Sequence, residues 1–442
     1  MEGSAGKLKN LLIITPHFPP VNSADIHRVR QSLPYYREFG WNPVIITVDP
    51  KYIESYNVDP LLSLIIPEDI RVYKVGAFSA KTTRKFGLGS LSMRAYFQIR
   101  KKGNELLQKE KFDLVFFSTT AFHVMALGPG WKKKFGVPFI LDIQDPWRND
   151  FYLSKPASER PPKFFVSYQI DKKLENATVP KADGIISVSK AYCDTFKERY
   201  NNLKDKQFRV IPFGATDRDF EFMQEHIQST TVKLRDGKIN IVYIGRGGHD
   251  MKTALEIIFK SFKKGLQQDP TIFSQAYFSF IGTSYAVPGQ GQKTIEPLAE
   301  GMGIKEYVRE ITDRIPYFDT LFLLKKADIL LVPGSNDNTY TASKIYPYIL
   351  AERPLLALFH EKSSVIKVLK DVGIDTYITF DSENDSKELI DSFYGKMKNL
   401  LKDRVTVTVN RHAFMPYTAR ARAREQTDFF DEVVGSFKKM KQ

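Results

Sequence analysis

Short apolar runs that alternate with helical patterns, in two successive rounds, are the feature that most constrains this chain. Such alternation is typical of parallel sheets built from β-α-β units. The runs predicted as strands in the first half are Leu11–Phe18, Pro43–Pro50, Phe112–Ser118, Pro138–Pro146, Ala182–Ser189 and Phe208–Gly214. Those in the second half are Ile239–Gly248, Ala276–Thr283, Tyr307–Pro316, Ala327–Ser335, Arg353–Phe359 and Asp375–Asp381. The sequence therefore predicts an α/β protein in which one layout is used twice.

The length of the chain favours two domains, because a single hydrophobic core rarely grows to 442 residues. The polar stretch Gln224–Gly237 separates the two rounds of alternation. We therefore predict a first domain of residues 1–225 and a second domain of residues 226–415. Residues 416–442 have a helical composition and are predicted to form a terminal helix.

The composition limits the class of protein. The single cysteine, Cys193, excludes an intramolecular disulfide and a cysteine-rich zinc site. Because the sequence shows neither a signal sequence nor an apolar stretch of about 18 residues, we expect a cytoplasmic protein without a membrane span. The net charge of +14 favours anionic partners, but charge alone does not choose among them.

A glycine-rich turn follows the first predicted strand of the second domain. Gly245, Gly247 and Gly248 surround Arg246, and a helical pattern comes next. Glycines let backbone N–H groups approach a phosphate, and a helix N-terminus adds partial positive charge. Arg246 is therefore predicted to bind phosphate, with Lys252 as a candidate second cation. The alternative is a tight turn with a solvated arginine.

A second cation precedes a later helical pattern. Lys344 follows Ser343 at the start of that helix, where a lysine opposes the helix dipole and a bound anion is the more favourable partner. We predict that Ser343 caps the helix and that this end of it binds substrate. An ordinary cap beside an exposed lysine fits the pattern equally well. Asn338 and Thr339 lie in a polar loop after a strand, where open α/β sheets bind ligands, and are also predicted to bind substrate.

Two more candidates follow predicted strands of the first domain. Asp145 is predicted to bind or orient a substrate hydroxyl, and an Asx turn is nearly as good an explanation of its position. His123 is predicted to form a hydrogen bond to a substrate as a neutral imidazole, although a lone histidine is more often structural.

Six motifs occur in order between about residue 11 and residue 360. They are PHFPPVNSADIHRVRQSL, FGVPFILDIQDPW, VIPFGATDRDF, IVYIGRG, RIPYFDTLFLLKKADILLVPG and SKIYPYILAERPLLA. Each motif alone is weak evidence, and the last two are the most specific. Together they resemble the motifs of retaining GT-B glycosyltransferases in glycosyltransferase family 4.

This resemblance implies two Rossmann-like domains that face a central cleft, with the C-terminal helix packed back on the N-terminal domain. It implies transfer of a sugar from a nucleotide diphosphate sugar, bound by the C-terminal domain, to a carbohydrate or lipid-linked acceptor, bound by the N-terminal domain. The reaction would retain configuration and need no metal and no cofactor. Ser23 and Arg28, in the first motif, are predicted to bind substrate, and Arg28 would reach across the cleft. The residues to which we assign catalytic roles are Arg246, Lys344, Asp145 and His123.

Four positions depart from the family motifs. Pro347 and Thr339 stand where the family has glutamates, Phe213 replaces an asparagine, and Gln144 replaces an arginine. These departures leave two alternatives open. One is a GT-B protein that binds sugar nucleotides without turnover. The other is a sugar-nucleotide epimerase, for which the sequence shows no clear set of carboxylates.

Basic and aromatic residues are mixed in the stretch Phe78–Phe112 and again around residues 155–168. Such a mixture predicts a membrane-facing patch for a lipid-linked acceptor, with peripheral contact at the inner face of an anionic membrane. A solvated amphipathic helix explains the pattern equally well. Single-stranded nucleic acid also binds basic and aromatic groups, but no recognition motif supports a nucleic-acid partner.

Overall fold

The computed structural model describes residues 7–53, 58–86, 89–154, 156, 160, 164–336, 343–381, 387–403 and 409–442. The chain divides into two compact units, one running to Phe213 and including Ala419–Gln442, the other formed by Gly214–Thr418. The second unit thus begins before the polar stretch Gln224–Gly237, because the helix Asp217–His226 packs on the helix Tyr317–Lys326.

The first unit contains a parallel sheet with the strand order β3-β2-β1-β4-β5-β6-β7. Its described strands are β1 (Lys9–Ile14), β2 (Trp41–Val48), β3 (Arg71–Val75), β4 (Leu114–Ser118), β5 (Phe139–Ile143), β6 (Gly184–Ser187) and β7 (Phe208–Val210). Its described helices up to residue 213 are α1 (Ile26–Tyr36), α2 (Leu61–Leu64), α3 (Ala80–Thr83), α4 (Leu91–Lys109), α5 (Leu127–Phe135), α6 (Phe164–Thr178) and α7 (Lys190–Arg199). Central strands such as β4 and β5 are buried throughout, as expected for a sheet covered on both faces.

The second unit repeats this architecture with the strand order β10-β9-β8-β11-β12-β13, again all parallel. Its described strands are β8 (Ile239–Ile244), β9 (Ala276–Ile281), β10 (Val308–Ile311), β11 (Ile329–Pro333), β12 (Leu355–His360) and β13 (Tyr377–Phe380). Its described helices are α8 (Asp217–His226), α9 (Lys252–Gln268), α10 (Pro270–Phe273), α11 (Glu296–Gly301), α12 (Tyr317–Lys326), α13 (Ile345–Leu350), α14 (Val365–Asp371), α15 (Lys387–Asp403) and α16 (Arg411–Phe414). The predicted α/β class, with one layout used twice, is confirmed.

The terminal helix α17 (Ala419–Lys439) packs against α1 of the first unit. Its Phe430 is fully buried, with its ring centroid 5.5 Å from that of Trp41 and 5.0 Å from that of Phe116. Gln426 accepts a hydrogen bond from the hydroxyl of Tyr36 at 2.7 Å. The predicted return of the C-terminal helix to the N-terminal domain is therefore confirmed.

Within the described residues, no helix is both long enough and apolar enough to cross a bilayer. Cys193 is buried in α7, and burial raises the pKa of its thiol to about 11. Cys193 is therefore a packing residue rather than a nucleophile, because an uncharged thiol is a poor nucleophile.

Candidate functional site

The strand order of the second sheet reverses at β8, since β9 lies on one side of it and β11 on the other. Ligands of open parallel sheets bind beyond the carboxyl ends of the strands at such a reversal. β8 and β11 pair only as far as Val242 and Leu330. Further along β8, on the side of β11, the hydroxyl of Tyr348 forms the hydrogen bonds that a neighbouring strand would otherwise form. It accepts a hydrogen bond from the N–H of Ile244 at 2.6 Å and donates one to its carbonyl at 3.1 Å.

The turn after β8 is shaped by Gly245, whose φ of +154° favours glycine. A β-carbon at this position would lie 2.4 Å from the Lys344 ammonium nitrogen, closer than atoms can approach. Gly247 donates its N–H to the carbonyl of Thr283 at 2.9 Å. A β-carbon at Gly248 would lie 2.8 Å from a guanidinium nitrogen of Arg246. The predicted glycines thus let two cations approach the backbone of one turn.

Tyr243 of β8 connects Lys344 to this turn. Its ammonium group donates to the Tyr243 hydroxyl oxygen at 2.5 Å and lies 4.6 Å from the centre of the ring. The same hydroxyl donates to the carbonyl of Arg246 at 2.7 Å. Burial of the ammonium group, and then repulsion from Arg246, lower the pKa of Lys344 to about 7 despite attraction from Asp250. The structure therefore brings together two of the predicted cations, and a bound anion would favour the charged lysine.

Arg246 forms a two-pronged ion pair with Asp250, at 2.9 and 2.7 Å. Asp250 also accepts a hydrogen bond from the Ser335 hydroxyl at 2.7 Å, just beyond β11. Burial raises the pKa of Asp250, but the hydrogen bonds from Arg246 and Ser335 outweigh it, and the net shift is downward. The guanidinium is thus held in place by an ionised carboxylate, and about a third of the Arg246 side chain stays exposed.

The other predicted residues of the second unit are less closely connected to this turn. Lys252 is exposed at the first position of α9 and forms an ion pair with Glu256 of the same helix, at 3.6 Å. The prediction that Ser343 caps its helix is wrong, because Lys344 is the N-cap residue of α13 and no side chain caps that end. Asn338 and Thr339 lie outside the described residues.

The first sheet reverses its strand order between β1 and β4, and Asp25 lies buried beside the ends of these strands. It accepts hydrogen bonds from His17 Nδ1 at 2.9 Å, from the Thr119 hydroxyl at 3.1 Å and from the Thr120 N–H at 3.1 Å. Ser23 also donates to it. Burial raises the pKa of Asp25, but the nearby His17 and these hydrogen bonds lower it by more. The net shift is downward, so the carboxylate stays ionised.

Ser23 and Arg28 are both buried in the first unit and form hydrogen bonds within it. Ser23 is buried and donates to Asp25. Arg28, also buried, donates to Asp142 of β5 at 3.2 Å and to the carbonyls of Ile211 and Pro212 at 2.5 and 3.0 Å. These bonds tie α1 to the sheet, which is a structural role, and the contact of Arg28 with substrate stays a prediction.

Asp145 lies just after β5 and is exposed to solvent. Neighbouring protein atoms nevertheless remove part of the water around its carboxyl group. This desolvation, and then repulsion from Asp25, raise the pKa of Asp145 to about 6. A carboxyl with a pKa close to neutrality can exchange protons with a substrate, and the contact of Asp145 with a substrate hydroxyl stays a prediction.

His123 lines a cavity of about 330 Å³ within the first unit. Its Nδ1 lies 2.6 Å from the Ser92 hydroxyl of α4, and its Nε2 lies 3.1 Å from the Asp171 carboxylate of α6. The cavity is also lined by His17 and Trp147. His123 therefore bridges the two helices that wall the cavity, and both of its ring nitrogens already have protein partners.

Sequence reasoning missed His17, Asp25, Tyr243 and Asp250. His17 and Asp25 stand inside a recognised motif but eight positions apart, and only the fold brings them together. Asp250 follows Arg246 at the spacing of an ion pair on a helix, a signal available in the sequence. Tyr243 resembles any other buried strand residue until its hydroxyl is placed. Within the described residues, no group of three or more His, Cys, Asp or Glu could hold a metal ion.

No protein-family model matches this sequence, and no curated protein matches it. Solved structures match it over nearly its whole length. One is HepE from Anabaena in complex with UDP, with a TM-score of 0.50, 12% identity, and coverage of 98% of this chain and 99% of that chain. Another is a UDP-forming α,α-trehalose-phosphate synthase from Burkholderia xenovorans, with a TM-score of 0.60, 12% identity, and coverage of 97% and 99%. A third is WaaG, a glycosyltransferase involved in lipopolysaccharide biosynthesis, with a TM-score of 0.53, 12% identity, and coverage of 96% and 99%.

At 12% identity, this likeness shows the fold alone. The class defined by the two parallel sheets and the full-length match is the GT-B fold. The motif resemblance to glycosyltransferase family 4 is a separate, finer prediction.

Proposed function

We propose that this protein is a glycosyltransferase that moves a sugar from a nucleotide diphosphate donor to a carbohydrate or lipid-linked acceptor. The observation that carries the proposal is the pair of cations, Lys344 and Arg246, beside the positive-φ glycine Gly245 at the carboxyl end of β8. Full-length likeness to structures that include a UDP complex supports the same class of activity.

The chemistry of the transfer needs such a pair. The bond between the anomeric carbon and the diphosphate oxygen breaks, and its electrons leave with the diphosphate. A new bond forms from the acceptor oxygen to the anomeric carbon, and the acceptor proton passes to the departing diphosphate. Lys344 and Arg246 neutralise the charge that develops on that diphosphate, and fixed charges of this kind are among the largest contributions to catalysis.

The finer features of the proposal follow the motif resemblance. We propose that configuration is retained, that the cations act in place of a metal ion, and that the reaction belongs to polysaccharide or glycoconjugate assembly. We also propose that Asp145 acts on the acceptor, because the resemblance assigns the acceptor to the N-terminal domain and Asp145 belongs to the first unit.

A donor panel tests the proposal. The purified full chain is incubated with UDP-glucose, UDP-N-acetylglucosamine, UDP-galactose and GDP-mannose, and release of the nucleoside diphosphate is measured by chromatography. We expect release with at least one donor, and a decrease of about 100-fold in Lys344→Ala, the size seen when one charge-stabilising donor is lost. Lys263→Ala, an exposed lysine on α9, is the matched control and should keep the wild-type rate.

Two outcomes would contradict the proposal. Tight donor binding without release of any nucleoside diphosphate would indicate a binding protein. Conversion of the donor to an epimeric sugar nucleotide would indicate an epimerase.

A further inference from the structure

The anion that Arg246 binds in this structure is a carboxylate of the protein itself. Asp250 accepts hydrogen bonds from both terminal nitrogens of the guanidinium, at 2.9 and 2.7 Å. Two oxygens of a phosphate engage an arginine through the same two-pronged geometry. The side chains of Arg246 and Asp250 are 31% and 33% exposed, so a ligand that arrives from solvent can reach the pair. A phosphate that binds here therefore competes with Asp250 for one guanidinium.

The position of Asp250 is fixed by the turn and by the segment that follows β11. Its carboxylate accepts a hydrogen bond from the Ser335 hydroxyl at 2.7 Å, and its main-chain carbonyl accepts one from the N–H of Asn336 at 2.7 Å. Gly248 leaves the room that the carboxylate occupies, because a β-carbon there would lie 2.6 Å from an Asp250 oxygen. The glycine-rich turn thus accommodates an internal anion as well as the two cations.

The charge of Asp250 acts on both cations of the site. It pairs directly with Arg246, and it also reaches Lys344. Burial and then repulsion from Arg246 lower the pKa of this lysine, whereas attraction from Asp250 raises it. A bound diphosphate brings more negative charge next to the carboxylate, and like charges repel strongly in a partly buried site. Asp250 therefore stabilises the cations without ligand and opposes the binding of phosphate.

We propose that Asp250 is an internal competitor for Arg246 that keeps the affinity for the nucleoside diphosphate low and so speeds its release after transfer. When the diphosphate binds, Arg246 exchanges the carboxylate for phosphate oxygens. When the diphosphate departs, the ion pair with Asp250 forms again. Release of product limits the turnover of many enzymes, so such a competitor favours a faster cycle. The role in release rests on the proposed glycosyl transfer, whereas the competition applies to any phosphate that Arg246 binds.

The sign of a change in affinity tests the competition. The wild-type chain and Asp250→Asn are titrated by calorimetry with inorganic pyrophosphate, UDP and GDP. Asparagine keeps the size of the side chain and an acceptor for the Ser335 hydroxyl but removes the charge. We expect Asp250→Asn to bind pyrophosphate about fivefold more tightly, the effect of losing one partly exposed ion pair. A residue that only holds Arg246 in place would give weaker binding, so weaker, unchanged or absent binding in Asp250→Asn refutes the competition.

The matched control is Asp391→Asn in the same unit. Asp391 is 43% exposed and pairs with Lys264, which lies about 18 Å along α9 from the start of that helix at Lys252. This variant also removes one carboxylate from an ion pair, but it should bind pyrophosphate like the wild type. An equal gain in Asp391→Asn would attribute the effect to the net charge of the protein and refute the competition. Thermal unfolding checks that both variants are folded.

Measurements of turnover separate this inference from the proposed function. With a donor that the wild type uses, Asp250→Asn should have a lower inhibition constant for the released nucleoside diphosphate and a lower kcat, because product leaves more slowly. An unchanged or higher kcat refutes the role in release. Tighter pyrophosphate binding in a chain that uses no donor supports the competition and refutes the transferase. Donor turnover by the wild type, with unchanged pyrophosphate affinity in Asp250→Asn, refutes the competition alone.

Discussion

The ammonium group of Lys344 lies 2.5 Å from the hydroxyl of Tyr243, although 101 positions separate the two residues in the chain. Tyr243 is fully buried in β8, so its hydroxyl is a fixed point. Because that hydroxyl also donates to the carbonyl of Arg246, it positions the lysine and the arginine-bearing turn together. The protein therefore holds two cations close to each other at the carboxyl end of β8.

Binding of a nucleoside diphosphate should be accompanied by uptake of a proton at Lys344. At about pH 8 most of this lysine is neutral, because its pKa lies near 7, and a bound diphosphate favours the charged form. Calorimetry of UDP and GDP binding in buffers with different ionisation enthalpies measures the uptake. Lys344→Met should abolish it, whereas Lys263→Met should not. The same proton uptake in Lys344→Met would exclude this lysine from the diphosphate site.

The lowered pKa of Lys344 also predicts that the stability of the protein depends on pH in the absence of any ligand. Its pKa is about 7 in the folded protein and 10.5 in the unfolded chain, so the folded state binds fewer protons between these values. The free energy of unfolding contributed by this group therefore rises as the pH rises through that window. Urea unfolding of Lys344→Met should lack this part of the increase, and an unchanged pH dependence would refute a depressed pKa.

Gly245→Ala should weaken nucleoside diphosphate binding. The new methyl group would lie 2.4 Å from the Lys344 nitrogen, and the backbone there has a φ of +154°. We expect at least about a tenfold weaker affinity for UDP or GDP, because one misplaced cation forfeits a charged hydrogen bond. Gly237→Ala also carries a positive φ but meets nothing within 4 Å, so it should cost stability without changing affinity. If both variants bind equally well, the close approach of Lys344 does not matter for the ligand.

Asp25→Asn should destabilise the first unit. The buried carboxylate accepts hydrogen bonds from His17, Thr119 and Thr120, and breaking such a charged network costs about 3 kcal/mol. Urea unfolding measures the loss. Asp194→Asn removes an exposed carboxylate paired with Lys190 and should cost about 0.5 kcal/mol or less.

The sign of the pH effect provides a second check on Asp25. Its folded pKa is depressed, so its stabilising contribution is present above the unfolded value of 3.8 and is lost as the pH falls towards the folded value. The difference between wild type and Asp25→Asn should therefore shrink in acid. A constant difference would show that packing, and not charge, explains the loss.

Phe430→Ala should show how much the packing of α17 contributes to the stability of the first unit. Its ring is fully buried against Trp41 and Phe116, and truncation of such a side chain costs about 3–5 kcal/mol. Met440→Ala, at a side chain 73% exposed just after the same helix, should have almost no effect. Equal midpoints of thermal unfolding for the two variants would contradict the packing of α17 on the first unit.

Most strands of the fold could be predicted because they are buried on both faces and appear as continuous apolar runs. β3 could not, because Arg71–Val75 is an edge strand that carries two cations, and only its last residue is buried. Arg246 and Lys344 were found as cations near glycine or a helix start. Their partners were both missed: Tyr243 resembles any other buried strand residue, whereas Asp250 stood four positions after Arg246, an ion-pair spacing that was overlooked. The predicted cap at Ser343 was wrong because a helix start is uncertain by a residue or two in any sequence.

The sequence by itself determined the α/β class, the double use of one layout and the positions of the two cations that follow strands and precede helices. These depend on local hydrophobic patterns and on turn chemistry, which act over a few residues. Only the tertiary structure decided that Lys344 meets Tyr243, that His17 and Asp25 pair, and that Arg28 is tied to Asp142. Such contacts depend on which strand lies beside which and on where each helix returns, and these follow from the packing of distant segments.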